Sequence, residues 1–469
     1  GTSMKTAIVN SKEIAGHRFR FEGSHYLNHY AYLSLKIERS KDKCVKLEDV
    51  ATCFNPPVFK RQFCQDTEHA VQYFQSSDVP SLEEKSKVFI YKGQAESLKL
   101  LVHKNDILVT GFGTIGNTRL VSRHQDGVCY ANNVCRIQST GMSAGFIYAF
   151  MSSKYGTAQL NNNASGSVVR YIEAPGIKRT LIPHFPESFQ KEVDDLMQEA
   201  ARLREEATDE LNEAEKILKE AAKLRDLTPE DYDYYGLNNS GRKVSCFIRK
   251  RKDIDTTTIN AFNHSERIRN TKASITCPTV PLKEVLLGGD TFSTGSFPRI
   301  EVKEGCGIML INQKDIFDTI VKGKYISKRN VKTNNLVEYG EVLIAGVGTL
   351  GENETFCRAI HANEDLVGQL VSGEFIRMKT NGKVPSGYLY AWLASDYGFR
   401  LLRNLQAGTK LCRPIPRLVL EISVPIVDKQ VMEEIDQMVK EAYTKRYRAN
   451  CNERKAKSMV EREIESWNK

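Results

Sequence analysis

Along residues 193–224 apolar side chains return every seven positions. Val193, Ala200, Ala207, Ala214 and Ala221 form one series; Leu196, Leu203, Ile217 and Leu224 form a second, three residues later, interrupted by Glu210. This is the seam of a coiled-coil helix. The pattern returns near the end of the chain as Ile435, Ala442, Ala449 and Ala456, with Met438 and Met459 in the second series. Lys445 and Asn452 weaken its middle. Positions of the second seam follow those of the first by 242 residues. Alanine at successive core positions lets two helix backbones approach closely. Each segment is about 40 residues, hence roughly 60 Å of helix. Two such helices, each closing a repeat of one chain, are expected to pack antiparallel.

The repeat extends upstream. VKLEDV (45–50) matches VPLKEV (280–285), and NDILVTGFGTIG matches YGEVLIAGVGTLG, both at an offset of 235. GFIYAFMSSKYG (145–156) matches GYLYAWLASDYG (387–398) at 242, an offset that also pairs Gly166 with Gly408 and Pro183 with Pro425. Short β-rich runs such as ILVTGF and TRLVSR alternate with helical ones, so each copy reads as a mixed α/β lobe. The expected layout is a first lobe at 5–186, a helix at 187–226, a linker at 227–241, a second lobe at 242–426 and a helix at 427–469. Pro229, Gly236 and Asn-Asn-Ser-Gly supply the linker with turn formers.

Charge changes this picture. The chain carries +9, but 187–226 carries −6 and 427–469 carries +1, so the remaining residues hold +14. A basic surplus in the lobes suits a polyanion such as DNA. The eleven cysteines are scattered without a Cys-x-x-Cys pair and the histidines are dispersed, which predicts reduced thiols and no metal site. No apolar run approaches the roughly 20 residues that span a bilayer, and the start lacks a signal-peptide core. A cytoplasmic location without membrane contact is expected. Gly1, Thr2 and Ser3 before Met4 are read as an expression remnant.

Two motifs suggest chemistry. GFGTIG (111–116) and GVGTLG (346–351) fit the dinucleotide-binding spacing Gly-x-Gly-x-x-Gly. That motif needs a helix opening at its third glycine and an acidic residue about 20 positions on. Here NTRLVSRHQDGVCY reads instead as a hairpin, and position 136 is Arg. A tight glycine turn between strands is expected, with amides able to approach a phosphate backbone. FNPPVF (54–59) approximates the Asn-Pro-Pro-aromatic motif of amino-methyltransferases, which grips a flipped base. Val58 occupies the aromatic position, and the second copy has Asp290 in place of Asn55. A proline-stiffened loop is expected instead of a catalytic one.

Taken together, the chain resembles the specificity subunit of a type I restriction–modification system. PVFKRQFC followed by VQYFQSSDV, and SFPRIEV followed by IMLINQKDI, are similar to the opening of that family's target recognition domains. The glycine turns, GSVVRYIEAPGIKRTLIP and GTKLCRPIPRLVLEISVP occur in family order, twice. The helix starts PHFPESFQ and PIVDKQ depart from the usual spacing. The resemblance implies two tandem target recognition domains, each followed by a long helix, the helices forming an antiparallel coiled coil with pseudo-two-fold symmetry. It implies a non-catalytic chain that binds double-stranded DNA, each lobe reading half of a bipartite asymmetric site. Two methyltransferase subunits, bringing S-adenosylmethionine for adenine N6, and restriction/translocase subunits would be partners; this chain would bind no cofactor. The alternatives are a type IIB specificity subunit, a stand-alone adenine-N6 methyltransferase and a pure protein-interaction module.

Base-edge readers are expected among Arg, Lys, Asn, Gln, Ser and Thr on loops. In the first lobe these are Lys60, Arg61, Gln62, Ser76, Ser77, Thr114 and Asn117, then Asn161, Asn162, Ser165 and Arg170. In the second they are Arg299, Asn312, Lys314, Thr349, Lys410 and Arg413, with Lys328 and Arg329 adding a basic loop that lacks a counterpart.

Overall fold

The computed structural model describes residues 6, 8–16, 21, 23–64, 66, 68–166, 170–228, 231 and 247–467. The expected linker 227–241 lies outside them except for Leu227, Thr228 and Asp231, as does the start of the second lobe at 242–246. The chain divides into two compact units, Gly1–Glu205 with Arg448–Lys469, and Glu206–Tyr447. Each is mixed α/β and contains one lobe, and the division crosses both long helices.

In the first unit a four-stranded antiparallel sheet has the order Ala51–Phe54, Val134–Ser139, Ile107–Thr110, Thr118–Leu120. Ile107–Thr110 is buried along its whole length, as its run of β-branched and aliphatic residues predicts. The helices Ala144–Ser152 and Lys154–Asn162 pack on this sheet through Phe146, Phe150 and Leu160. A smaller sheet pairs Ala70–Phe74 with Phe89–Tyr91 and, in parallel, with Cys129–Tyr130.

The second unit follows the same plan in the same register. Val342 faces His361 and Met378, as Ile107 faces Leu120 and Ile137. Leu310 pairs in parallel with Leu370, as Tyr73 does with Cys129. The fourth strand is reduced to bridges Leu286–Thr380 and Phe292–Arg377. Gly288 and Gly289, both at φ 70°, make a turn where the first lobe continues its strand. Left-handed backbone at two consecutive residues needs glycine and interrupts the ladder.

The long helices are Glu187–Ala221 and Lys429–Ser466. The first stops short of 226 because Lys223 takes φ 52° and the Leu224 amide bonds back to the Lys219 carbonyl, a Schellman ending. The second is capped by Asp428, whose carboxylate accepts from the Gln430 amide at 2.8 Å. Each lobe grips its own helix in the same way: the Gly145 amide donates to Asp194 at 2.8 Å and the Gly387 amide to Asp436 at 2.7 Å.

The two helices pack together. In the first unit Phe185 meets Trp467 at 5.8 Å, Val193 and Met197 join Ala456, Val460 and Ile464 in one core, and Arg204 reaches Glu453 at 2.7 Å. In the second unit Lys445 bonds Glu206 and Glu210. Of the expected seam, Val193, Ala200, Leu203, Ala207, Ala214, Ile435, Ala442, Ala449 and Ala456 are buried. Leu196, Ile217, Ala221, Leu224, Met438 and Met459 are only partly buried; Met197, Leu218, Ala222, Val439 and Val460 lie inside instead. At Met197, Leu218, Val439 and Val460 the second series thus follows the first by four residues, whereas Leu203, packed with Ala200 and Ala449, follows by three. Both phases present apolar side chains at these sites, so the spacing alone did not distinguish them.

Candidate nucleic-acid interface

The glycine turn joins Ile107–Thr110 to Thr118–Leu120, which pair antiparallel. It is a strand–turn–strand, as the β-branched residues after it predict, and no helix opens at Gly116. Gly113 and Gly116 lie at φ 72° and 90°. A Cβ on Gly111 would collide with the Ile172 carbonyl oxygen, so glycine there admits close chain approach. Thr110 closes the turn: its hydroxyl donates to the Thr114 carbonyl at 2.6 Å and accepts from the Asn117 amide at 3.1 Å.

Around this turn the fold gathers part of the expected set. Thr114 is exposed and Asn117 half-buried. Asn161 is buried, its side-chain amide donating to the Thr157 carbonyl at 2.9 Å and the Ile115 carbonyl at 3.4 Å. Arg170, exposed, donates to the Asn161 carbonyl. Phe112 and Tyr171 stack at 5.6 Å beside them. Ser76 accepts from the Asn133 side chain at 3.3 Å, and the Asn133 carbonyl accepts from the Gly111 amide. Ser77 and Ser165 are exposed, and Asn162 is buried.

Asn55 belongs to the scaffold of this region. Its amide donates to the Asn132 carbonyl at 3.2 Å and its oxygen accepts from the Ala174 amide at 2.8 Å. Both ends of the side chain are thereby engaged by backbone, as in a structural loop.

Lys60, Arg61 and Gln62 form a separate edge. Arg61 donates to the Tyr73 hydroxyl at 2.8 Å and lies over its ring. Burial pushes the Tyr73 phenol up despite the Arg61 bond, keeping it neutral. The Gln62 carbonyl accepts from the Tyr91 amide, which brings Lys92 to the same edge. In the second lobe Arg299 stands in the same setting: the adjacent Ile300 carbonyl accepts from the Ser327 amide, next to Lys328 and Arg329. By strand register Ile90 corresponds to Ile326, so Lys92 is the counterpart of Lys328. The sequence comparison missed it because the offset there is 236, between the two that the motifs supplied.

The second glycine turn is bridged at Gly348 to Cys412, which brings Thr349 near Lys410 and Arg413, all exposed. Gln313, at the place of Ser76, clamps the turn by accepting from the Val347 amide at 2.9 Å and donating to the Val347 carbonyl. Its neighbours Asn312 and Lys314 are exposed, Asn312 donating to Asp315 at 3.2 Å. The lobes therefore present glycine turns at corresponding places in the sheet, the second turn longer than the first, flanked by different side chains. Among the described residues the one carboxylate–imidazole cluster with metal-ligand spacing is Asp66, Glu68 and His69, fully surface-lying. No helix among them is long and apolar enough to cross a membrane.

No protein-family model matches this sequence, and no curated protein matches it significantly. Among solved structures, the chain is similar to the type I restriction–modification S subunit from M. genitalium, at 12% identity over 90% of this chain and 94% of that one, TM-score 0.36. It is also similar to the HsdS subunit from Thermoanaerobacter tengcongensis, at 14% identity over 89% of this chain and 95% of that one, TM-score 0.27. A type I restriction–modification complex component matches at 16% identity over 90% of this chain and 97% of its own, TM-score 0.27.

Proposed function

We propose that this chain is the sequence-reading, non-catalytic subunit of a type I restriction–modification assembly. Each lobe reads one half of a split, asymmetric site on double-stranded DNA. The two long helices form an antiparallel coiled coil that fixes the distance between the half-sites. The observation that carries this reading is the repetition itself: two lobes alike in strand register, each gripping a long helix through a Gly–Asp bond.

The geometry supports a division of labour. The basic edges at Lys60, Arg61 and Lys92, and at Arg299, Lys328 and Arg329, suit phosphate contacts that set orientation. Side chains at the glycine turns suit base edges: Thr114, Asn117 and Arg170 in one lobe, Thr349, Lys410 and Arg413 in the other. Because these sets differ, the half-sites differ. Two readers held at a fixed distance define a composite site by the same geometry as dimeric repressors. Methyltransferase subunits docked on the helices and lobes would supply S-adenosylmethionine and methylate adenine, and restriction/translocase subunits would join them. A type IIB system would use this chain in the same way. The engagement of Asn55 by backbone and the strand–turn–strand at GFGTIG favour this reading over a stand-alone methyltransferase.

The test is a genome-wide methylation map in a host lacking adenine methylation, expressing this chain alone or with a type I methyltransferase subunit encoded beside it. A split motif methylated only when both are present is expected. Methylation by this chain alone overturns the proposal.

A further inference from the structure

The two glycine turns differ in length and in bracing: residues 111–117 connect the paired strands of the first lobe, residues 346–358 those of the second. In the second lobe Arg403, on the helix Asp396–Asn404, is 1% exposed. Its guanidinium donates to the carbonyls of Leu350 at 2.8 Å, Gly351 at 3.0 Å, Glu354 at 3.3 Å and Phe356 at 3.2 Å. Its face rests on Phe399, 4.1 Å from the ring centre. One turn back on the helix, Arg400 holds Glu352 with both arms at 2.7 and 2.6 Å. Burial lowers the Arg403 pKa to about 10, which leaves it charged at neutral pH.

In the first lobe, 242 residues earlier, the same place holds Asn161, and Ala158 stands for Arg400. Asn161 gives the turn a single bond, to the Ile115 carbonyl at 3.4 Å, and spends another on its own helix. A guanidinium is a rigid fork with five donors, so binding four carbonyls from four residues fixes the path of the loop between them. In the first lobe the shorter turn is closed instead by the Thr110 hydroxyl, through Thr114 and Asn117.

We propose that Arg403 is a positioning residue for DNA reading: it locks the 350–356 loop so that the exposed Thr349 and Glu354 meet base edges in one geometry, and thereby sets how strictly the second lobe's half-site is read. Asn161 fills the same helix position in the first lobe, where the turn is held by Thr110 and needs no such clamp. This rests on the DNA-reading function proposed above.

The experiment is selection of bound duplexes from a pool randomised across both half-sites, using the full chain with its methyltransferase subunit. Wild type, Arg403→Gln, Arg403→Lys and Asn161→Ala are compared, with thermal unfolding measured for each. Arg403→Gln is expected to reduce base discrimination by about fivefold or more at positions of one half-site while the other is unchanged, an effect in the range of losing one good base contact. Arg403→Lys keeps the charge but not the fork, and is expected to blur the same half-site. If Arg403→Gln does not fold, the lysine variant decides. Retention of full discrimination by the folded variants, or equal loss in both half-sites, overturns the assignment. A wild type that enriches no sequence overturns the DNA-reading function instead, and the assignment with it.

Discussion

In the first unit Glu453 sits between Lys457 at 2.7 Å, Arg204 at 2.7 Å and the Tyr148 hydroxyl at 3.1 Å, and Arg204 also donates to Asn450 at 2.9 Å. In the second unit Leu211 stands where Glu453 would repeat, and Tyr390, the counterpart of Tyr148, meets Tyr443 at 5.2 Å and His361 at 6.0 Å. Arg446, the counterpart of Arg204, lies over the Tyr443 ring. The same duplicated helix–lobe junction is therefore closed by a buried charge network in one copy and by an aromatic cluster in the other. What the repeat preserves is the backbone frame, the Gly–Asp grip and the alanine seam. The chemistry between them is free to diverge: the charged junction pairs its buried groups, while the aromatic one leaves the Tyr443 hydroxyl and His361 Nδ1 buried without a hydrogen bond.

The charged junction is the more brittle. Burial alone would push the Glu453 carboxyl up, but Lys457 and Arg204 hold it well below the usual range, so it stays ionised. Glu453→Ala leaves Arg204 without its carboxylate and is expected to cost about 3–5 kcal/mol. Arg204→Met with Glu453→Leu, which imports the leucine of the second unit, is expected to recover most of that loss. Urea unfolding of both variants checks this, and a single mutant as stable as wild type would remove the network from the account.

The aromatic junction carries the pH sensitivity instead. His361 is enclosed by Tyr339, Tyr390 and Tyr443, bonds Ser386 at 3.2 Å, and faces the Asp436–Lys440 pair. Burial lowers its pKa from 6.5 to about 4, Lys440 adding to the effect and Asp436 opposing it. The folded state thus prefers neutral imidazole. Its stability is complete above pH about 6.5 and falls as the pH drops toward about 4, by up to about 3 kcal/mol. Leu120 holds the matching register in the first lobe, so His361→Leu should flatten the acid limb of unfolding monitored in the second unit. An unchanged acid limb would place the sensitivity elsewhere.

The smallest effect sharpens the comparison of turns. Gly113 lies at φ 72° with open space around its Cβ position, so Gly113→Ala should cost about 1–2 kcal/mol from backbone strain alone. Gly111→Ala adds a collision with the Ile172 carbonyl oxygen and should cost more. Thermal unfolding of the pair orders them; equal losses would argue against the close approach at Gly111.

Much of this architecture was legible because the repeat copies periodicity and glycine placement. The hairpin after GFGTIG could be read from its β-branched residues and its Gln-Asp-Gly turn, and the structural role of Asn55 from the valine that follows the prolines. The second series of the seam was not legible. Leu196 and Met197, Ile217 and Leu218, Met438 and Val439, and Met459 and Val460 are adjacent apolar pairs, so the three- and four-residue steps fit equally well. A three-residue step passes over Arg204 and Glu453, which meet in the seam as polar residues. Lys92 was hidden by a shift in loop length, and Arg403 by standing opposite an unlike residue, Asn161. In each case the information lay in three-dimensional correspondence, which sequence offsets approximate only where no residue has been inserted.

The central claim is that the helices hold two readers at a fixed distance. Its most direct test inserts four helix-forming residues at the Glu205–Glu206 junction and four at the Tyr447–Arg448 junction, where the division between the units crosses both helices. The spacer lengthens by roughly 6 Å, and at about 3.4 Å per base pair the gap in the site selected from randomised duplexes should widen by about two base pairs, with both half-sites unaltered. A selected site with the original gap would contradict the account.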